Sequence, residues 1–219
     1  MESRTAIVSG AAGNLGKAVV QHFLNNHCKV TGIVHHKSEN RNPSQNYQEL
    51  ELDLTNANAT EKCVEQLIEQ YKRIDIAVLT AGGFTLGDIK STSTEDIYKQ
   101  IRLNFETAYN IARPVLTQMK KQNTGKFFFI GSVSGRDTAL GKGVTAYSLS
   151  KSLLFQLANI INSETKGTAI WAEVIVPYII DTPQNRAAMP NADFSTWETP
   201  EQLAALIGEG AFDNNPHNH

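Results

Sequence analysis

A glycine-rich turn near the start of the chain separates an apolar run, residues 5–8, from a helical pattern of apolar residues. A strand, a tight turn and a helix start are the context in which such a turn binds a dinucleotide. Gly10 permits the sharp turn, Gly13 lets the backbone approach a pyrophosphate, and Gly16 lets the helix pack closely on the strand. The helix then begins with free N–H groups that face the anion. We therefore predict a dinucleotide-binding turn, with an ordinary strand-to-helix turn as the alternative.

Strands and helices alternate along the rest of the chain. Predicted strands cover residues 29–34, 49–53, 74–79, 126–130 and 169–176, and predicted helices cover residues 57–71, 94–122, 146–164 and 200–207. This alternation predicts a doubly wound α/β fold with a mostly parallel sheet and helices on both faces. A chain of 219 residues without internal repeat or linker fits one domain, residues 1–219.

Tyr147 and Lys151 form a Tyr-x-x-x-Lys element in the helix predicted over residues 146–164. Residues four apart lie on one face of a helix, so the ammonium can sit beside the phenol. Tyrosine has a reference pKa of about 10, and a nearby cation favours the phenolate. We therefore expect Lys151 to lower the pKa of Tyr147 toward the range used in acid-base catalysis. Taken alone, the element also fits a solvated helix face.

Composition and charge narrow the classes of partner. The net charge is −2 and no basic stripe is present, which argues against nucleic acid. No stretch reaches the roughly 18 apolar residues that span a bilayer, and residues 1–4 leave no room for a signal peptide. We therefore expect a cytoplasmic location and no membrane partner. No metal site is predicted, because Cys28 and Cys63 lack metal spacing and because His217 and His219 lie in a polar tail, residues 213–219, expected to be flexible.

The order of these motifs resembles the short-chain dehydrogenase/reductase family from about residue 5 to about residue 207. Ser9, Gly10 and Gly16 match the family turn Thr-Gly-x-x-x-Gly-x-Gly, whereas Asn14 stands at its middle glycine. The family's final strand has no clear counterpart here. The resemblance implies a Rossmann fold, a nicotinamide cofactor, an oxidoreductase activity on a small-molecule substrate and a homodimer or homotetramer.

The resemblance also implies roles for residues beyond the turn. Asp53, with Leu54 beside it, matches the acid that receives the adenine ring, and the element Thr80-Ala81-Gly82 matches Asn-Ala-Gly with Thr in place of Asn. Pro177 and Thr182 match a loop over the nicotinamide. The candidate cofactor-binding residues are Gly10, Gly13, Asn14, Leu15, Gly16, His35, His36, Lys37, Asp53, Leu54, Ala81, Gly82, Tyr147, Lys151, Pro177, Ile180 and Thr182.

The candidate catalytic residues are Asn104, Ser132, Tyr147 and Lys151. In the family, the asparagine supports a proton-relay water and the serine holds the substrate oxygen. The usual spacing to the tyrosine would select Ser134, which stays as an alternative. Ser132 is preferred because it follows the predicted strand 126–130, and the carboxyl end of a strand is where a hydroxyl reaches the crevice.

The choice of nicotinamide cofactor depends on the end of the second strand. An acid about 20 positions after the glycine turn would bond the ribose 2′-hydroxyl and select NAD. The chain has His35, His36 and Lys37 there and no acid. Donors that can become cationic suit a 2′-phosphate, so NADP(H) is favoured and NAD(H) is the alternative, because histidine is mostly neutral at pH 7.

Two further expectations concern the substrate. Residues 81–84 and 181–197 resemble dihydropteridine reductases, although those enzymes usually carry the NAD-selecting acid and lack a serine at position 132. Residues 183–198 are interpreted as a lid in which Met189, Phe194 and Trp197 contact a planar substrate. The alternative is that Phe194 and Trp197 pin this loop to the core. Some family members bind a dinucleotide as sensors without turnover, but a complete catalytic set favours a reductase.

Overall fold

A computed structural model of the protein describes residues 3–36 and 45–213. The strands are β1 Thr5–Ser9, β2 Lys29–Val34, β3 Tyr47–Glu51, β4 Ile76–Leu79, β5 Thr124–Ile130 and β6 Ala169–Ile175. The helices are α1 Asn14–Asn25, α2 Ala57–Tyr71, α3 Thr94–Ile101, α4 Thr107–Gln122, α5 Val133–Arg136, α6 Thr145–Glu164, α7 Pro183–Ala188 and α8 Pro200–Phe212.

All six strands pair in parallel in the order β3-β2-β1-β4-β5-β6. The order reverses between β1 and β4, and a crevice opens at the carboxyl ends of the strands at such a point. This arrangement confirms the predicted doubly wound Rossmann fold. No strand follows β6 within the described residues, as the missing counterpart of the family's last strand predicted.

Alternate strand residues build two separate apolar cores, because successive side chains of a strand point to opposite faces. Ile7 of β1 faces the core formed with α2, α4 and α6, whereas Ala6 and Val8 face the core formed with α1 and α8. Phe127 and Phe129 belong to the first core and Phe128 to the second. Both sheet faces are therefore covered, which leaves the strand ends to form a site.

The prediction of one continuous α-helix over residues 94–122 is wrong in one respect. The helix is divided into α3 and α4 by a π-helical turn, Arg102–Glu106. Between β5 and α6 lie the short helix α5 and a 3₁₀ turn, Thr138–Gly141. The π-helical turn contains Asn104, and π-helical turns are frequent at functional sites.

Helix α8 extends beyond its predicted end at residue 207 to Phe212 and packs on α1. The Lys126 ammonium donates hydrogen bonds to the carbonyls of Gly210 and Ala211 at 2.9 and 3.2 Å and also to that of Asp213. A cation at a helix C-terminus satisfies carbonyls that lack intrahelical partners. Burial lowers the pKa of Lys126 to about 8. Helix α8 therefore ends against the sheet, before residues 214–219, which include His217 and His219 and lie outside the described part.

Within the described residues, no helix has the length and apolar character needed to cross a bilayer. The same residues hold no group of three or more His, Cys, Asp or Glu side chains that could bind a metal ion.

Candidate active site

The glycine turn follows β1 and packs against the carboxyl end of β4, at the point where the strand order reverses. Gly10 has a φ of 63°, and a Cβ there would lie 2.9 Å from the backbone nitrogen of Ala81. The Thr80 hydroxyl donates to the Ser9 carbonyl at 2.7 Å, and the Ala81 N–H donates to the Ser9 hydroxyl at 3.1 Å. Thr80 thus fastens the two strand ends together from the position where the family has asparagine.

The start of α1 is suited to an anion. Gly13 is the N-cap residue and has no side chain to bond the first N–H groups, and no acidic residue lies in the first turn. The helix N-terminus therefore offers unpaired N–H groups and its positive dipole end to a pyrophosphate. A Cβ on Gly16 would overlap the carbonyl of Gly10, so the turn packs directly on the helix. The Asn14 amide donates to the Gln184 side chain of α7 at 2.9 Å and links the turn to the predicted lid.

The structure brings Tyr147 and Lys151 together on one face of α6, as their spacing predicted. The Lys151 Nζ lies 5.8 Å from the centroid of the Tyr147 ring and donates to the Ile130 carbonyl at 2.7 Å. Lys151 is buried, and burial lowers its pKa to about 8. A group with that pKa can release a proton near neutral pH.

Ser132 lies just beyond β5 and caps α5. Its hydroxyl accepts a hydrogen bond from the Gly135 N–H at 3.0 Å and also hydrogen-bonds the Tyr147 phenol. The hydroxyl of Ser134 lies 3.1 Å from that of Ser132, and the Ser134 carbonyl accepts from Ser148 at 2.5 Å. The hydroxyl against the phenol is therefore that of Ser132, the residue preferred from the sequence.

The prediction that Lys151 lowers the pKa of Tyr147 is wrong, because the pKa of Tyr147 is raised. Burial raises the pKa of the phenol, and the hydrogen bond from Ser132 opposes that rise. The ammonium stands over the ring and bonds the Ile130 carbonyl. Desolvation disfavours the charged phenolate. Tyr147 is consequently held in its protonated form, the form that donates a proton.

Asn104 occupies the π-helical turn and is 1% exposed. Its side chain pairs with both backbone groups of Gly83, accepting from the N–H at 2.9 Å and donating to the carbonyl at 3.0 Å. It also donates to Gln100 at 2.9 Å and to the Ser150 hydroxyl at 3.0 Å. The side chain therefore holds the segment after β4 against α6. Asn104 is close to the candidate catalytic pair, but its amide is committed to these contacts.

Gly82 places no side chain in front of the Lys151 ammonium. A Cβ at Gly82 would lie 2.5 Å from the Asn104 Oδ1 and 3.4 Å from the Lys151 Nζ. Phe84, two residues further on, packs edge-on against the Tyr147 ring with centroids 4.9 Å apart. The sequence offered one signal for Phe84, its place after Ala81-Gly82-Gly83, but not its contact with the phenol.

The residues expected to bind the adenosine end lie after β2 and β3. The Asp53 carboxylate accepts from the Thr55 N–H and hydroxyl, which lowers the pKa of Asp53. Leu54 is buried, and its carbonyl accepts from the Asn110 amide at 2.9 Å. Asp53 remains exposed to receive a ligand.

His35 and His36 are exposed directly after β2, and Lys37 lies outside the described residues. The Nδ1 atom of His36 lies 3.6 Å from the Glu51 Oε1. The pairing of β2 with β3 sets Val34 opposite Glu51. An acid therefore stands near the predicted 2′-phosphate contacts, which the sequence of β2 alone did not indicate.

The predicted cofactor loop and lid are folded segments. Pro177 is buried, and Ile180 forms a bridge with Glu198. Thr182 caps α7 by accepting from the Asn185 N–H at 3.1 Å. After α7 comes a 3₁₀ turn, Phe194–Thr196.

The aromatic residues of this segment are already in contact with protein. Trp197 is 6% exposed, and its ring centroid lies 4.7 Å from that of Phe194. The Arg186 guanidinium stacks 4.6 Å from the Phe194 centroid and pairs with Asp181. Trp197 is therefore buried while Met189 is only partly buried, and the lid and its alternative both stay predictions.

A cavity of about 220 Å³ lies at the opposite end of the strands, against the amino-terminal ends of β4, β5 and β6. Ligands of open α/β sheets bind at the carboxyl ends. That cavity is consequently separate from the site formed by Tyr147 and the glycine turn.

Comparisons with known proteins identify the family of this chain. The family model described as short chain dehydrogenase matches residues 4–193. Acetoacetyl-CoA reductase of Acinetobacter sp. is 26% identical over 83% of this chain and 76% of its own length, and the 3-oxoacyl-acyl-carrier-protein reductase FabG of Salmonella typhimurium is 26% identical over 85% and 77%. The solved structure of ElxO with NADP bound covers 99% of this chain and 94% of its own at 21% identity and a TM-score of 0.90. Ligand-free aldohexose dehydrogenase of Thermoplasma acidophilum covers 97% and 90% at 22% identity and a TM-score of 0.83. The chain belongs to the short-chain dehydrogenase family of oxidoreductases.

Proposed function

We propose that the protein is an NADP(H)-preferring reductase of a small carbonyl compound. The observation that carries this proposal is the partly buried Tyr147, whose phenol lies against Ser132 with Lys151 beside its ring, at the edge of a crevice fit for a dinucleotide. Gly13 and the free N–H groups of α1 would hold the pyrophosphate, and the opening at Gly82 would admit the nicotinamide ribose to Lys151.

The reduction divides between cofactor and protein. A bound nicotinamide supplies the hydride that forms the new C–H bond at the carbonyl carbon. The electron pair of the broken C=O π bond moves to oxygen, where Tyr147 gives up its proton to make the alcohol. Ser132 donates to the same oxygen as negative charge develops, which is where a placed donor stabilises most. Lys151, with a pKa of about 8, would then give a proton to the phenolate and take one back from solvent water.

Two relatives named as reductases support the reductive direction, and the neighbour solved with NADP supports that cofactor. The test is a screen of carbonyl compounds and quinonoid dihydropterin with NADPH and NADH, followed by nicotinamide absorbance. Reduction of dihydropterin alone would favour a dihydropteridine reductase-like activity, for which Phe84 beside Tyr147 is the supporting contact. Nucleotide binding without any turnover would favour a sensor.

The cofactor preference gives a direct prediction. His35→Asp places an exposed carboxylate directly after Val34, the last residue of β2, where it would accept from the ribose 2′-hydroxyl and repel a 2′-phosphate. We expect kcat/KM to shift toward NADH. Glu51 lies opposite Val34 in the sheet, so Glu51→Gln is the matched control for a nearby acid and should favour NADPH further. An unmodified enzyme that already prefers NADH contradicts the NADP proposal.

Association is a second prediction. Large apolar side chains remain exposed on α3, the π-helical turn, α4 and α6, namely Tyr98, Leu103, Tyr109, Leu149 and Ile160. Such a surface suits a two-fold interface between copies of the chain. We expect a homodimer by light scattering at micromolar concentration, and a homotetramer is the alternative. Ile160→Asp should shift the mass toward the monomer, whereas Leu206→Asp, on α8, should not. A monomer mass for the unmodified protein refutes the interface.

A further inference from the structure

Phe84 stands out among the residues around the phenol. It packs edge-on against the ring of Tyr147, yet 61% of Phe84 is exposed. An aromatic side chain contributes a large apolar area, so an exposed one beside a reactive group offers a surface that a ligand can cover.

The backbone on both sides of Phe84 is anchored. Gly83 is held by the Asn104 side chain through its N–H and its carbonyl. Gly87 forms a bridge to the start of α6, donating to the Gly143 carbonyl at 2.8 Å and accepting from the Thr145 N–H at 2.8 Å. Phe84 therefore sits on a short, clamped stretch and not on a free loop, and its position relative to Tyr147 is defined by the fold.

The aromatic residues of the segment 183–198 have less surface to offer. Trp197 is almost fully buried, and Phe194 lies between Trp197 and the guanidinium of Arg186. When the carbonyl oxygen of a substrate is hydrogen-bonded to Tyr147 and Ser132, the groups attached to its carbonyl carbon lie beside the residues that surround the phenol. Phe84 is an aromatic neighbour in direct contact with the phenol ring.

We infer that Phe84 is a specificity-determining residue that selects substrates with a flat aromatic group attached to the reacting carbonyl. This inference rests on the reductase function proposed above. Aromatic pairs prefer edge-to-face or offset stacked arrangements and gain free energy beyond the burial of area. This gain in free energy favours aromatic over aliphatic ketones, because a small aliphatic ketone reaches Tyr147 without covering Phe84.

The kinetic test compares acetophenone with butanone as ketones reduced with NADPH. Phe84→Ala should lower the ratio of kcat/KM for acetophenone over butanone by about tenfold, from lost stacking and lost apolar burial. Turnover of butanone should fall less than turnover of acetophenone, because butanone does not cover Phe84. Phe84→Trp should restore the preference, and Phe84→Leu should restore only part of it.

Ile89→Ala is the matched control, because Ile89 is 82% exposed on the same segment beyond the anchor at Gly87. It should leave the ratio unchanged. An unchanged ratio in Phe84→Ala, with normal turnover of both ketones, overturns the inference and leaves the proposed function intact.

If neither ketone is reduced, a binding measurement tests the role of Phe84 separately from the proposed reductase function. Benzamide and isobutyramide present carbonyls that the enzyme is not expected to reduce, and calorimetry with NADP present reports their affinities. Tighter binding of benzamide that is lost in Phe84→Ala supports the role of Phe84 even where the reductase proposal has failed. Equal binding of both amides to the unmodified protein overturns it.

Discussion

Replacing Tyr147 by Phe is expected to lower turnover by at least about 100-fold, the usual contribution of general acid catalysis. The ring, its contact with Phe84 and the space it fills remain, while the proton donor is removed. NADPH affinity should stay nearly unchanged, because the proposed pyrophosphate contacts are at the start of α1 and not at the phenol. Initial rates with saturating NADPH and fluorescence titration of the cofactor measure the two quantities.

The control for this variant is Tyr98→Phe, which removes a hydroxyl from an exposed tyrosine of α3. Its turnover should equal that of the unmodified enzyme. If Tyr147→Phe also keeps normal turnover, Tyr147 is not the acid and the assignment of the site is wrong. A large loss of NADPH binding in Tyr147→Phe would instead place the phenol among the cofactor contacts.

The fold could be predicted because its signals are local. Helix α2 has the bounds expected from the sequence, Ala57–Tyr71. Asn56 caps its start by accepting from the Ala59 N–H, and Lys72 ends it with a φ of 63°. These capping interactions involve neighbours along the chain, so the pattern of residues already contains them.

The π-helical turn could not be predicted in the same way. The residues before and after the π-helical turn each keep a helical apolar pattern, so the sequence indicates a helix on both sides and does not show the turn between them. The turn is stabilised where Asn104 bonds Gly83 and Ser150, which are 21 and 46 residues away. Contacts of that range depend on how the elements pack, which a single sequence does not show.

The candidate site also combines features that the sequence predicted with features that it did not. Ser132 was preferred over Ser134 from its place after a strand, and the contact of its hydroxyl with Tyr147 agrees. Glu51 was missed because only the parallel pairing of β2 and β3 brings it within 3.6 Å of His36. The direction of the pKa shift of Tyr147 was missed because spacing reveals a neighbouring charge and does not reveal burial.

The second large effect is expected for Gly16→Ala. A Cβ on Gly16 would overlap the backbone carbonyl of Gly10 and approach the Ala11 Cα to 2.9 Å, so the glycine turn itself must move. Overpacking of this kind costs roughly 1–3 kcal/mol, and the better helix propensity of Ala returns at most about 1 kcal/mol. We expect a lower melting temperature together with a dissociation constant for NADPH at least about tenfold higher, since moving the turn misplaces N–H groups whose charge-assisted bonds are worth about 1.5–3 kcal/mol each.

Gly13→Ala separates the two roles of the turn, because a Cβ there meets only the Gly10 carbonyl, at 3.2 Å. That contact is tight but can relax, so the melting temperature should change little. The added methyl group stands where the backbone must approach the pyrophosphate, so NADPH binding should still weaken. Thermal unfolding without cofactor and titration with NADPH distinguish the variants: loss of both properties in Gly16→Ala and of binding alone in Gly13→Ala is the expected pair. Normal NADPH affinity in both variants would mean that the dinucleotide does not bind at this turn.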